Sequence, residues 1–278
     1  MMQERYVRVL SIAGSDSGGG AGIQADLKTF AALGCYGMTA ITALTAQNTQ
    51  GVRGIHAVPP DFLKAQLQAV IEDIGVDAVK VGMLHAPEIV EVVAWAIDGY
   101  GLPHVVLDPV MVATSGDRLI AQETVQVLVR ELFPRAEVVT PNLDEAALLL
   151  GRQLADAAAL PPAAADLLAL GAQAVLLKGG HLPGEEVVDL LAQRGAEPAC
   201  VTLRGPRIAS PNTHGTGCTL SSAIACGLAL GLPLVESVTQ ARAYVRSAML
   251  AGAGVRTGQG HGPLNHGFAP EASRVRPA

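Results

Sequence analysis

Charge is scarce in this chain: only 16% of its 278 residues are Asp, Glu, Lys or Arg, and they sum to a net −6. No basic stripe runs through it, and the final "SRVRP" is its longest basic tail. Nucleic acid is therefore not expected as a partner, because neutralising phosphates needs clustered Lys and Arg. Aromatics are also few, at 3% with one Trp. The four cysteines, Cys35, Cys200, Cys218 and Cys226, form no C-x-x-C pair. No N-terminal stretch has the form of a secretory leader. Free thiols in a reducing cytoplasm are expected. The longest apolar run, "AIACGLALGLPLV", is too short for a bilayer and is broken by Gly and Pro, so a membrane is not expected as a partner. Two loop signatures are missing as well. There is no G-x-x-x-x-G-K-[ST], and "GSDSGGGAG" fails the G-x-G-x-x-G test. That excludes a P-loop NTPase and weakens a dinucleotide site. The seven histidines show no H-E-x-x-H or other zinc spacing.

What the chain has is Ala, Gly, Leu and Val in short runs, half of it apolar. "YVRVLSIAG", "GMTAITALTA", "DAVKVGML", "HVVLDPV", "AEVVTPN" and "AVLLKGG" read as strands. Helical patterns alternate with them: "AGIQADLKTFAALG", "PPDFLKAQLQAVIEDIG", "APEIVEVVAWAIDGYG" and "AQETVQVLVRELFP". Such alternation implies a mostly parallel sheet covered on both faces, with ligands beyond the carboxyl ends of its strands. Six polar or glycine-rich stretches begin at those ends: "GSDSGGGAG", "TAQNTQG", "DPVMVATSGD", "TPNLDE", "KGGH" and "NTHGTGC". One site and one domain over residues 1–267 are expected, with 268–278 as a flexible tail. "LADAAALPPAAADLL" is expected to be a helical connection broken by Pro161 and Pro162 rather than a linker.

The stretch "NTHGTGC" is the most specific. Gly215 and Gly217 free the backbone where the helix "GTGCTLSSAIACGLALG" begins, so successive N–H groups can converge on an oxyanion. Thr213 and Thr216 can add hydroxyl donors, and His214 a further hydrogen bond. Cys218 falls in the first turn, where the helix N-terminus should lower its pKa and favour a thiolate able to take a proton. A buried small residue is the competing reading, and Cys226 two turns on fits it. Gly18, Gly19, Gly20 and Gly22 allow something to approach the early loop closely. Asp108 ends a strand. Asn142 and Glu145 stand three apart at a helix start, where they suit a metal's water shell and equally a capping box. Lys178, a strand-end lysine before two glycines, suits a phosphate.

Taken together, "AGSDSGGGAGIQADLKTF", "ITALTAQNT", "KVGML", "DPVM", "TPNLDEA", "LLKGGH" and "NTHGTGCTLS" resemble the hydroxymethylpyrimidine/phosphomethylpyrimidine kinases, ribokinase-like enzymes of thiamine biosynthesis. The resemblance runs from about Val9 to His266. It implies a three-layer α/β/α sandwich, MgATP as donor, a homodimer, and two successive phosphorylations of 4-amino-5-hydroxymethyl-2-methylpyrimidine. By matched position it also implies that Asp26 and Gln47 hydrogen-bond the aminopyrimidine, with Gly14, Met83 and Val110 around the ring. Thr213, Gly215, Thr216 and Gly217 would form the anion hole. Cys218 stands where most ribokinase-like enzymes have a catalytic aspartate. Lys178 matches a phosphate contact, and Asp108, Asn142 and Glu145 match magnesium positions reached through water. Arg242 departs from the pattern, standing where a lysine is expected. A pyridoxal kinase and a non-catalytic pyrimidine sensor are the competing functions.

Overall fold

The computed structural model describes residues 4–111, 120–180, 182–197 and 199–277. Along them run β1 (Glu4–Tyr6), β2 (Arg8–Asp16), α1 (Gly22–Ala32), β3 (Tyr36–Asn48), β4 (Gly51–Ala57), α2 (Pro60–Asp73), β5 (Ala78–Val81) and α3 (Pro87–Tyr100). There follow β6 (Val105–Leu107), α4 (Gln122–Leu132), β7 (Val138–Val139), α5 (Leu143–Leu150), α6 (Leu160–Ala169), β8 (Ala174–Leu177), β9 (Glu186–Gln193) and β10 (Cys200–Pro206). The chain closes with α7 (Thr216–Ala229), α8 (Leu234–Gly252) and β11 (Val275–Pro277).

Nine strands form one sheet in the order β10-β9-β8-β7-β6-β5-β2-β3-β4. From β8 to β3 the pairings are parallel, and β4, β9 and β10 join antiparallel at the edges. The short inner strands are apolar apart from Lys80 in β5, because both faces are covered. One face packs Leu63, Leu67, Val93, Leu128 and Leu167 from α2, α3, α4 and α6. The other packs Phe30, Ile224, Val238 and Val245 from α1, α7 and α8. The architecture is the three-layer sandwich expected.

Four local readings change. β3 is longer than its apolar pattern, reaching Asn48 and carrying Gln47 just past a register shift against β4. The antiparallel edges β4, β9 and β10 were not foreseen. Pro161 and Pro162 open α6 instead of breaking a helix, since a first turn has no use for their missing N–H groups. Residues 268–277, expected as part of a flexible tail, are tied down: β11 pairs with β1, and Arg274 exchanges backbone bonds with Val7 and Gly34. Asp77 completes that seam, bonded by Arg5 and Arg8 and 3.8 Å from Arg276.

Candidate active site

The parallel strands all deliver their carboxyl ends to one side of the sheet, and there a cavity of about 740 Å³ opens. Gly14, Gln47, Met83, Asp108, Val110, Asn142, Glu145, Lys178 and the loop Thr213–Cys218 all line it. Residues 112–117 of "DPVMVATSGD" and His181 of "KGGH" lie outside the described residues.

The loop before α7 is held by contact with the early glycine loop. Gly215 has φ +82°, and a Cβ there would sit 1.9 Å from the Gly20 carbonyl oxygen. Asp16, at the end of β2, accepts from the amides of Gly18, Gly20 and Ala21 and from His214 Nε2 at 2.9 Å. Burial alone would raise the Asp16 carboxyl. The His214 ring and the Ala21 and Gly18 amides outweigh it and hold Asp16 below its ordinary value. The early glycines thus serve a carboxylate of their own chain, and His214 joins the two loops. Thr216 spends its hydroxyl proton on the Thr213 carbonyl, so it is not the free donor expected.

Lys178 and Asp108 meet at the start of α7. Lys178 Nζ lies 3.0 Å from Asp108 Oδ1 and 4.0 Å from Glu145 Oε2. A Cβ placed on Gly217 would be 3.2 Å from that ammonium and 3.5 Å from Asp108 Oδ2. A side chain at Gly217 would push the lysine back by a few tenths of an ångström, so glycine here keeps the helix backbone, the lysine and the carboxylate close together. Burial opposes the charge on Lys178, yet Asp108 and Glu145 raise its pKa overall. Burial likewise works against Asp108, but Lys178 and Lys80 keep it ionised.

Asn142 and Glu145 do form the capping box: the Asn142 side chain accepts from the Glu145 amide, and the Glu145 carboxylate from the Asn142 amide. Burial, with the Asp108 charge adding to it against Lys178, pushes the Glu145 carboxyl up to about 7. Its ordinary value is 4.5. Between those values the folded chain holds a proton that the unfolded chain has released, so stability from this group falls as pH rises. Glu145→Gln keeps an acceptor for Asn142. It should raise the thermal midpoint of the nucleotide-free protein more near pH 7.5 than near pH 5. Equal shifts at both would show that the carboxyl is not titrating there.

Two expectations need correction. Asp26 is fully buried and lies beneath the cavity rather than on its wall. Its oxygens are taken by Lys80 at 3.0 and 2.9 Å, Ser11 at 2.6 Å and Ser222 at 2.7 Å, so none is left to accept from the amino group of an aminopyrimidine. Gln47 does reach the wall, where its side-chain oxygen accepts from Thr45. Cys218 also lines the cavity, but burial pushes its thiol up to about 11. Lys80 and the facing Gly22 amide pull it down, and Asp26 and Asp108 push it up. The helix-start effect loses to desolvation, and at rest the group is a thiol.

Arg242 is fixed by Asp189 at 2.7 Å and the Leu203 carbonyl at 3.0 Å. Asp189 also accepts from the Gly179 amide, so Arg242 steadies the segment that carries Lys178. Arg207 was not foreseen. It donates to the carbonyls of Gly180 and Gly184 and lines the same cavity. Lys80 went unassigned too, although a lysine inside "AVKV", where every neighbour is apolar and buried, was a visible signal.

Residues 16–265 match the family model described as phosphomethylpyrimidine kinase. The hydroxymethylpyrimidine/phosphomethylpyrimidine kinase of Rhizobium meliloti is 52% identical over 92% of this chain and 96% of its own. The thiamine biosynthesis bifunctional protein ThiED of Geobacter sulfurreducens is also 52% identical, with this chain spanning 54% of its length. Among solved structures, the ADP complex of Bacillus subtilis pyridoxal kinase superposes with a TM-score of 0.86 at 38% identity, covering 94% of this chain and 98% of that one.

Proposed function

The chain belongs to the phosphomethylpyrimidine kinase family, and from that premise we propose that it phosphorylates 4-amino-5-hydroxymethyl-2-methylpyrimidine and then the monophosphate, each time from ATP, towards thiamine. The observation that carries this reading is the meeting of Lys178, Asp108 and the Gly217 backbone at the start of a helix, inside a cavity that Gln47, Gly14, Met83 and Val110 also line.

Phosphoryl transfer asks mainly for alignment and charge neutralisation. The acceptor oxygen bonds to the γ-phosphorus, the bond from that phosphorus to the bridging oxygen breaks, and ADP leaves. Gly215 and Gly217 present backbone N–H groups to the moving phosphoryl, since the His214 and Thr216 amides already donate to the Gly262 and Thr213 carbonyls, and Lys178 supplies a cation beside them. Gln47 orients the aminopyrimidine. Magnesium on the nucleotide neutralises phosphate charge when bound. The donors fit it only through water. No group of three His, Cys, Asp or Glu among the described residues could hold a metal, and Asp108 and Glu145 are partly engaged already. The crowding that raises Glu145 is what a nearby cation would relieve. Asp108, Asn142 and Glu145 would hold its waters.

In the first step a hydroxyl proton must leave, and we assign its acceptance to Cys218 as thiolate. With the thiol at about 11, the thiolate is roughly one molecule in ten thousand near pH 7. The first step should therefore keep accelerating as pH rises, while the second, whose acceptor is already anionic, should not. Time-resolved product analysis with MgATP and the hydroxymethylpyrimidine tests both points. Monophosphate should appear first and convert to diphosphate, and Cys218→Ala should slow its appearance more than its conversion. Equal slowing would make the thiol a packing residue, and no pyrimidine product would end the reading. A second reading, pyridoxal phosphorylation, draws on the likeness to the B. subtilis enzyme, and pyridoxal in a parallel reaction tests it.

We further propose one kinase domain over 1–267, since all nine strands of the main sheet fall within it. Four free cysteines fit a reducing cytoplasm. No described helix is long and apolar enough to cross a membrane. The acidic charge balance disfavours nucleic acid, and exposed Ile55 and Phe62 suit a second copy of the chain.

A further inference from the structure

The segment "KVGML" contributes Met83 to the cavity wall, and its lysine, besides helping to keep Asp108 ionised, has no step of the reaction assigned to it. Lys80 sits in β5, a strand buried at every position, and its side chain is buried at the floor of the cavity. Two of its three donors point at Asp26, at 3.0 and 2.9 Å. The structure is shaped around that placement. A Cβ on Gly82 would come within 2.9 Å of Nζ, so this glycine leaves room for the charge. Ser11 and Ser222 complete the Asp26 carboxylate from the other side. An apolar pair would fill the same space without the cost of desolvating two ions, so stability alone does not account for it. On the open side, Lys80 forms the cavity wall together with Ala13, Gly14, Met83 and Cys218.

We propose that Lys80, braced from behind by Asp26, is the cation of the acceptor end, stabilising negative charge on the oxygen that attacks the γ-phosphorus. The assignment rests on the functional reading above and divides the work of the lysines: Lys178 serves the phosphoryl being moved, Lys80 the oxygen receiving it. It also gives Asp26 a part in the site, as the group that holds Lys80 rather than as a ligand to the ring.

The two acceptors of the proposed reaction separate this from a structural role. A monophosphate carries its charge before reaction, whereas a hydroxymethyl oxygen gains charge only as its proton leaves. Interactions with a charge already present act on binding, and those with a developing charge act on turnover. Lys80→Met should therefore raise KM for the monophosphate about tenfold and change its kcat by less than about threefold. For the hydroxymethyl substrate it should lower kcat roughly 10- to 100-fold with KM nearly unchanged. Because Lys80→Met strands a buried carboxylate, the neutral pair Lys80→Gln with Asp26→Asn is measured beside it and should show the same division. Uniform loss across both substrates and both constants, or no loss in either, overturns the assignment. A wild-type chain that phosphorylates neither pyrimidine overturns the functional reading and this inference with it. An active wild type with a flat response in the variants overturns this inference alone.

Discussion

Gly215→Ala is expected to cost phosphoryl transfer roughly 10²- to 10³-fold in kcat or more, the scale seen when a preorganised donor is lost from an oxyanion site. A left-handed φ of +82° already penalises any L side chain by about 1–2 kcal/mol. The larger effect is steric. The new Cβ would lie 1.9 Å from the Gly20 carbonyl oxygen and 2.9 Å from its carbon, both backbone atoms that cannot swing aside. The two loops must part, which pulls His214 from Asp16 and turns the amides before α7 away from a common point. Gly254→Ala is the control, because a Cβ there meets nothing within 4 Å. Steady-state kinetics on both variants, with far-ultraviolet circular dichroism to confirm folding, checks the claim. A Gly215→Ala enzyme within about threefold of wild type would mean that this loop does not set the transition state.

The parts of this site that lie close together in sequence were legible in it, and the parts assembled by folding were not. Thr213 to Cys218 is one loop feeding one helix, so the glycines, the helix start and the thiol can be read from six consecutive letters. Lys178 and Asp108 are each at the end of an apolar strand pattern, and the parallel-sheet rule brings such ends to one side. The partners within the site are another matter. Asp16 and His214 are 198 positions apart, and Asp26 and Lys80 are 54 apart. Nothing in the spacing shows that a carboxylate expected to meet the ring would be bonded from all sides. The early glycines announced a close approach but not what approaches: Asp16, and the backbone of Gly215. The fold divides in the same way. The covered inner strands read clearly as short apolar runs. The edges β4 and β10 alternate or face solvent, so their letters look like loop.

Cys218 shows why local electrostatics misleads. A thiol in the first turn of a helix gains from the amides around it, and that gain is readable from sequence. The loss from desolvation, with Asp26 and Asp108 nearby, depends on a cavity floor built by four separate segments, and it is the larger effect. The same reasoning explains Glu145, which reads as a capping residue at neutral charge cost and turns out to share a buried pocket with another carboxylate.

Lys178→Met should remove both the cation beside the moving phosphoryl and the counter-charge of two buried carboxylates. The first loss should lower kcat/KM for both pyrimidine substrates by roughly 10²- to 10³-fold, alike in the two steps, because each transfer takes the γ-phosphoryl of an ATP past the same lysine. The second is visible without substrate. In the wild type, burial works against Asp108, but Lys178 and Lys80 depress its pKa, so it contributes stability above the unfolded carboxylate value that is lost as pH falls. Without Lys178, burial dominates at both Asp108 and Glu145 and their folded values rise. A raised carboxyl binds its proton more tightly folded than unfolded, so the variant should be least stable at high pH and recover on acidification. Thermal midpoints near pH 5 and near pH 8 should therefore show a deficit against wild type that is several degrees larger at the higher pH. A deficit independent of pH would mean that Asp108 finds other compensation, with Thr140 at 3.0 Å and Lys80 as the candidates. In that case the kinetic loss would measure the lysine's contact with phosphate alone.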